Sequence, residues 1–136
     1  MPESDHVTGL EPRARLQHCL ERLTARGGPF ALVGSDVVGL KSVNEREGFL
    51  AGDACLRRAA DRLRAAAAGA EIVARLGGDE LVAVFAGAGA AEAAAAAADV
   101  LAAPGSPPLR VAAVSAGADE RPGPLIERLY ATMRGS

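Results

Sequence analysis

One hundred and thirty-six residues at 13.8 kDa suffice for a single domain with a sizeable core, so folding requires neither disulfides nor a structural metal. Apolar residues make up 49% and charged residues 24%, a globular balance; a net charge of −2 lacks the basic footprint of duplex-binding proteins. Aromatics at 3% argue against a base-stacking platform for nucleic-acid single strands, and no apolar run reaches the ~20 residues of a membrane span. The N-terminus, MPESDHVTGLEPR, is polar and acidic, unlike a secretory signal. Cys19 and Cys55 stand far apart, which fits a reduced cytoplasmic setting better than a disulfide framework. His6 and His18 are the only imidazoles, so any metal is to be held by oxygen.

Leu16, Leu20 and Leu23 recur at helical spacing and predict a helix over about Pro12–Arg26, ended by Gly27 and Gly28. Phe30–Asp36 reads as a buried strand that stops on a carboxylate. Gly39–Glu47 is ambiguous and amounts to one or two helical turns. A stronger helix is predicted from Asp53 to Ala68, with Leu56, Ala60, Leu63 and Ala67 on one face. Glu71–Leu76 and Leu81–Ala86 are apolar segments separated by Gly-Gly-Asp-Glu, a hairpin signal. Ala90–Ala103 is nearly pure alanine, a helix by propensity or else a flexible connector. Leu109–Ala116 reads as a fourth strand and Leu125–Arg134 as a final helix. The order predicts an α+β domain, one sheet with helices on one face, and no repeat of solenoid period is present.

Three groups of residues carry chemistry. Gly77-Gly78-Asp79-Glu80 is by itself an ordinary tight turn. A hairpin folding back beside the first strand would, however, bring Asp79 and Asp36 to one edge of the sheet. Two carboxylates and a strand-end carbonyl suit Mg²⁺ when substrate phosphates complete its octahedron, and such ions support in-line phosphoryl transfer. The plain alternative for Asp36 is a cap or loop-start role. Asn44 and Asp53 can together read a purine edge, because a carboxylate accepts the paired N–H donors of guanine and finds none at N1 of adenine. The plain alternatives are a turn role for Asn44 and a helix N-cap for Asp53.

Taken together these residues resemble the GGDEF domain, the diguanylate cyclase domain of bacteria. Asp5-His6-Val7-Thr8-Gly9-Leu10 with Arg13 resembles the family's N-terminal D-x-L-T-G-L-x-N-R, and Asp36–Lys41 with Asn44 resembles D-x-D-x-F-K-x-x-N. Gly52-Asp53 follows, then Ala74–Leu81, which is nearly the signature itself. Val114–Gly117 resembles the V-S-x-G strand and Leu129-Tyr130-Ala131 the A-L-Y near the end. The resemblance implies a palm or nucleotidyl-cyclase-like antiparallel sheet with a βααββαβ core, residues 1–28 forming an N-terminal segment and helix and 29–136 the cyclase-like core. It implies that Asp36, the Val37 carbonyl and Asp79, aided by Glu80, hold Mg²⁺ or Mn²⁺. Asn44 and Asp53 would bind guanine, Lys41 would approach the phosphates, and Gly77 and Gly78 would border the substrate. Two protomers, each with one GTP, would make cyclic di-GMP and pyrophosphate, with Glu80 aiding metal binding or deprotonation of the 3′-hydroxyl.

The departures are specific. Val38 replaces the second aspartate of D-x-D, Leu40 and Leu81 replace phenylalanines, and Phe49 stands at a usual histidine. Ala68-Gly69-Ala70-Glu71 replaces the R-x-x-D of product inhibition, so no feedback site of that type is expected. Met133 takes the place of a phosphate-binding lysine, with Arg134 as the substitute, and the chain stops before the family's last strand. No receiver, PAS or coiled-coil segment precedes the domain, which predicts a stand-alone protein pairing through its own surface or a regulatory partner. A cyclase, a degenerate guanine-nucleotide sensor without turnover, and a purely structural dimerisation domain are the three readings. Of fourteen Arg and one Lys, the single lysine, Lys41, falls inside the strand-end motif.

Overall fold

The computed structural model describes residues 4–135; Met1–Glu3, the start of the predicted N-terminal segment, and Ser136 lie outside it. Nine elements follow in chain order: α1 (Arg13–Arg26), β1 (Phe30–Val37), α2 (Leu40–Glu47), α3 (Phe49–Ala66), β2 (Ile72–Arg75), β3 (Glu80–Ala86), α4 (Ala90–Ala102), β4 (Leu109–Ser115) and α5 (Pro122–Arg134). The strands form one antiparallel sheet in the order β2-β3-β1-β4. Its register aligns Phe30 with Ala86 and Asp36 with Glu80 on one side of β1, and Ala31 with Ser115 on the other.

Helices cover both faces of the sheet, not one. Leu56, Ala59, Ala60 and Leu63 of α3 and Ala90, Ala94, Ala97 and Leu101 of α4 pack with Ala31, Val33, Leu81, Ala83 and Phe85. Leu16, Leu20 and Leu23 of α1 and Leu125, Ile126, Leu129 and Met133 of α5 pack with Leu32, Val82, Val84 and Val114 on the opposite face. The reason is already present in the strands: FALV and LVAVF are apolar at successive positions without alternation, the pattern of a strand buried on both sides. Alanine-rich α4 is helical throughout, which removes the connector alternative.

Two helices begin earlier than their apolar patterns predict. Chain α3 opens at Phe49, so Asp53 lies inside its second turn and is not its N-cap. Gly48, at φ +91°, ends α2 and turns the chain directly into α3, a conformation that an L side chain rarely adopts. Helix α5 opens at Pro122, where a missing backbone N–H costs nothing.

The sheet leaves room for helix side chains at Gly34, where a Cβ would lie 2.9 Å from Leu129 Cδ2. Next to it Ser35 is fully buried, and its hydroxyl has no hydrogen-bond partner among the described residues. These neighbours predict opposite effects. Leu129→Ala should destabilise the fold by about 2–5 kcal/mol through the cavity it leaves. Ser35→Ala should be neutral or stabilising by about 1 kcal/mol, because it removes a desolvated hydroxyl. Urea denaturation of both variants checks the pair of signs.

Candidate functional site

Asp36 lies one residue before the end of β1, opposite Glu80 of β3, and the Val37 N–H donates to the Asp79 carbonyl at 3.3 Å. The two acidic stretches meet at the ends of adjacent interior strands and not at a lateral edge of the sheet. Burial raises the pKa of Asp36 above the usual carboxylate range, and the Asp79 charge adds to that, against the opposing pull of Arg110 4.0 Å away. Glu80 is pushed up to about 7 by burial, then by its hydrogen bond and charge repulsion with Asp79. Like charges in a half-buried corner disfavour their own ionisation.

Glu80 is anchored from the α5 side. The Tyr130 hydroxyl donates to Glu80 Oε1 at 3.1 Å, and burial followed by the Glu80 charge raises the phenol's own pKa. A Cβ at Gly77 would overlap the same carboxylate oxygen, so the bare backbone there is what lets Glu80 lie against the turn. Arg134 is exposed and lies over the Tyr130 ring, 5.8 Å from its centroid, which links it to Glu80 only through tyrosine. Met133 is buried in the core between α1 and α5.

On the other side of the Gly-Gly turn, α2 and α3 form a cavity of about 390 Å³. Lys41, Asn44, Asp53, Gly78 and Asp79 border it, with Leu40, Leu56 and Phe49 supplying apolar wall. A Cβ on Gly52 would overlap the Asn44 amide oxygen, so the absence of a side chain there lets Asn44 lie against α3 beside Asp53. Five predicted site residues thus share one cavity. Asp36 and Glu80 stand at the adjoining strand ends, Gly77 lines a separate recess of about 300 Å³ with Asp5 and Arg13, and Arg134 borders neither. A more spacious cavity of about 750 Å³ lies between α1 and β2, away from all of these carboxylates.

Among the described residues no three acidic, histidine or cysteine side chains converge closely enough to hold an ion unaided. Mg²⁺ ordinarily takes one or two carboxylates and completes its shell with water and phosphate oxygens. Asp36 and Asp79, whose negative charges act on each other at the strand ends, fit that donor set.

Arg75 holds the turn in shape, a role that the spacing of motifs leaves invisible. Its Nε donates to the Gly77 carbonyl at 3.2 Å and its Nη2 to the Gly78 carbonyl at 2.7 Å. Its Nη1 meets both oxygens of Asp5 at 3.1 and 3.2 Å. Asp5 also accepts from the Thr8 N–H and hydroxyl at 2.8 and 2.7 Å, and Arg64 of α3 donates to the Thr8 carbonyl. The N-terminal Asp-x-x-Thr-Gly stretch is therefore the clamp on the Gly-Gly turn, and its presence 70 residues upstream was the available signal for Arg75.

Residues 3–111 match the family model described as diguanylate cyclase, GGDEF domain. The chain is 40% identical over 83 residues to the diguanylate cyclase DgcP of Pseudomonas aeruginosa, covering 58% of this chain and 12% of that protein. It is 39% identical over 88 residues to an uncharacterized signaling protein of Caulobacter vibrioides, covering 62% and 11% respectively. The chain thus spans about a tenth of the length of these relatives. Among solved structures, a sensory box/GGDEF family protein from Caulobacter crescentus superposes with a TM-score of 0.71 at 31% identity, covering 99% of this chain and 100% of that one. The GGDEF domain of DgcB from Caulobacter crescentus, in complex with c-di-GMP, shares the fold with a TM-score of 0.85 at 21% identity, covering 100% and 90%.

The clamp carries a pH signature. Burial opposes ionisation of Asp5, but the Thr8 hydrogen bonds and the Arg75 charge outweigh it and hold the carboxyl below its ordinary value. A depressed native pKa stabilises the fold above the unfolded value, and that contribution is lost as the pH falls through the native one. Asp5→Asn should cost about 1–3 kcal/mol at neutral pH and flatten the acid limb of the stability profile. Urea denaturation from about pH 2 to 7 checks both effects.

Proposed function

The chain belongs to the GGDEF family, and from that premise we propose that it binds GTP with Mg²⁺ and condenses two GTP into cyclic di-GMP. One observation carries the reading: Lys41, Asn44, Asp53, Gly78 and Asp79 border a single cavity, beside the strand ends that bear Asp36 and Glu80.

In this reading the guanine edge meets Asn44 and Asp53, the carboxylate accepting from the N1 and N2 donors. Adenine offers no N1 proton, and a carboxylate covered by the base yet left unpaired disfavours it. Lys41, on the first turn of α2, reaches the phosphates as a compact point charge. Asp36, Asp79 and the Val37 carbonyl hold the ion, which supplies charge neutralisation on the phosphates and the attacking oxygen. Glu80, tethered by Tyr130, takes the 3′-hydroxyl proton or adds to the ion's ligands.

Each chain carries one GTP, so the reaction requires two copies with their cavities facing. The 3′-oxygen of each nucleotide attacks the α-phosphorus of the other, one P–O bond forms as the bond to pyrophosphate breaks, and two pyrophosphates leave per cyclic product. Exposed Val38 removes a carboxylate expected near the ions, and buried Met133 a lysine expected at the phosphates. They make slower turnover than in family members that keep both the expected outcome.

Purified protein incubated with GTP and Mg²⁺ at concentrations that favour pairing should release pyrophosphate and yield a cyclic dinucleotide, and Asp79→Ala should abolish both. Binding of GTP by calorimetry without pyrophosphate release would identify a sensor instead, and a calorimetric blank would remove both readings. Asp53→Asn should lower the preference for GTP over ATP about 10- to 100-fold, read by competition binding.

A further inference from the structure

Phe49 is the one aromatic side chain among the described residues that stands mainly in water. It is 76% exposed, whereas Phe30 and Phe85 are buried and Tyr130 is half-buried against Glu80. Its backbone is nevertheless fixed: it opens the 18-residue helix α3, whose Leu56, Ala59, Ala60 and Leu63 are locked into the core. A ring held at a set position yet left uncovered lacks the burial that ordinarily accounts for phenylalanine.

Its surroundings supply the missing partner. Phe49 borders the cavity that Asn44 and Asp53 also border, one helical turn before Asp53 on α3. In the guanine-nucleotide reading those two polar groups address the edge of a base and leave its faces to apolar contact. Leu50, the next residue, is 83% exposed and does not border the cavity, so the two neighbouring apolar side chains differ in what they can touch.

We propose that Phe49 stacks on the face of the purine bound in this cavity, so that base recognition divides into an edge read by Asn44 and Asp53 and a face covered by Phe49. The inference rests on the guanine-nucleotide reading above and adds a positioning residue to it. Every base has a π-face, so stacking strengthens binding without choosing between bases. Phe49 then sets affinity and Asp53 sets identity.

The test is equilibrium binding of GTP and ATP to purified wild-type, Phe49→Ala, Phe49→Leu, Phe49→Tyr and Leu50→Ala proteins, with sedimentation velocity on each. A triphosphate of 2-aminopurine riboside, added at saturating concentration because it lacks guanine's N1 donor, reports the contact through fluorescence that stacking quenches. Phe49→Ala should weaken both nucleotides about tenfold with their ratio unchanged, and should relieve the quenching. Phe49→Tyr should retain wild-type affinity, Phe49→Leu should not, and Leu50→Ala should bind normally. Wild-type affinity in Phe49→Ala or Phe49→Leu would overturn the stacking role while leaving the nucleotide reading intact. Equal losses in Phe49→Ala and Leu50→Ala, tracking dissociation of a dimer, would replace the base with a second copy of the chain as the ring's partner. A wild-type protein that binds neither nucleotide would overturn both proposals together.

Discussion

Strand β1 is enclosed on four sides: β3 and β4 bond to its edges, and the two helical layers cover its faces. Such enclosure leaves its direction and register no freedom, because a slip by one residue would exchange every side chain between two differently shaped helical surfaces. The only polar carboxylate of the strand, Asp36, therefore emerges at one fixed point, opposite Glu80 and next to Asp79. These groups are held together by the apolar packing behind them, and burial first, then the charge of Asp79, pushes the carboxyls of Asp36 and Glu80 above their ordinary range.

Two close approaches convert this scaffold into a cavity with defined walls. Asn44 lies on the bare backbone of Gly52, and Glu80 lies on that of Gly77. In each case the missing side chain gives the neighbour its seat, and neither glycine has a positive φ. Arg75 then fastens the Gly-Gly turn to the N-terminal segment, its one guanidinium giving two hydrogen bonds to the turn's carbonyls and two to Asp5. The site is shared among β1, the β2–β3 turn, α2, α3 and the N-terminal segment, and its shape depends on all of them at once.

Much of this was legible from residue patterns. Continuous apolar runs mark β1 and β3, the leucine spacing marks α1, and the chemistry of Asp36, Asn44, Asp53 and Asp79 sets them apart in the sequence. What escaped was relational. The N-cap chemistry of Asp53 points to a start four residues too late, because exposed Phe49 and Leu50 add nothing to the apolar face that marks α3 and Gly52 is the seat for Asn44. Element order alone does not say which face a crossover helix takes, and two-sided burial of the sheet is carried instead by the unalternated apolar runs of β1 and β3. Arg75 and Tyr130 sit within motif stretches, but their partners are 70 and 50 residues away, and no local pattern encodes such pairings.

Helix α4 remains, with nine alanines in thirteen residues and its buried face formed by Ala90, Ala94, Ala97 and Leu101. Alanine has no rotamer to lose on burial, so this layer is ordered at little side-chain entropic cost. Methyl groups also let the helix axis approach β1 and β4 closely, giving a thin, stiff wall behind the strands that carry the acidic cluster. Backing of the site is thereby assigned to the least chemically diverse segment of the chain, in which a branched or longer side chain at Ala90, Ala94 or Ala97 would act as a wedge.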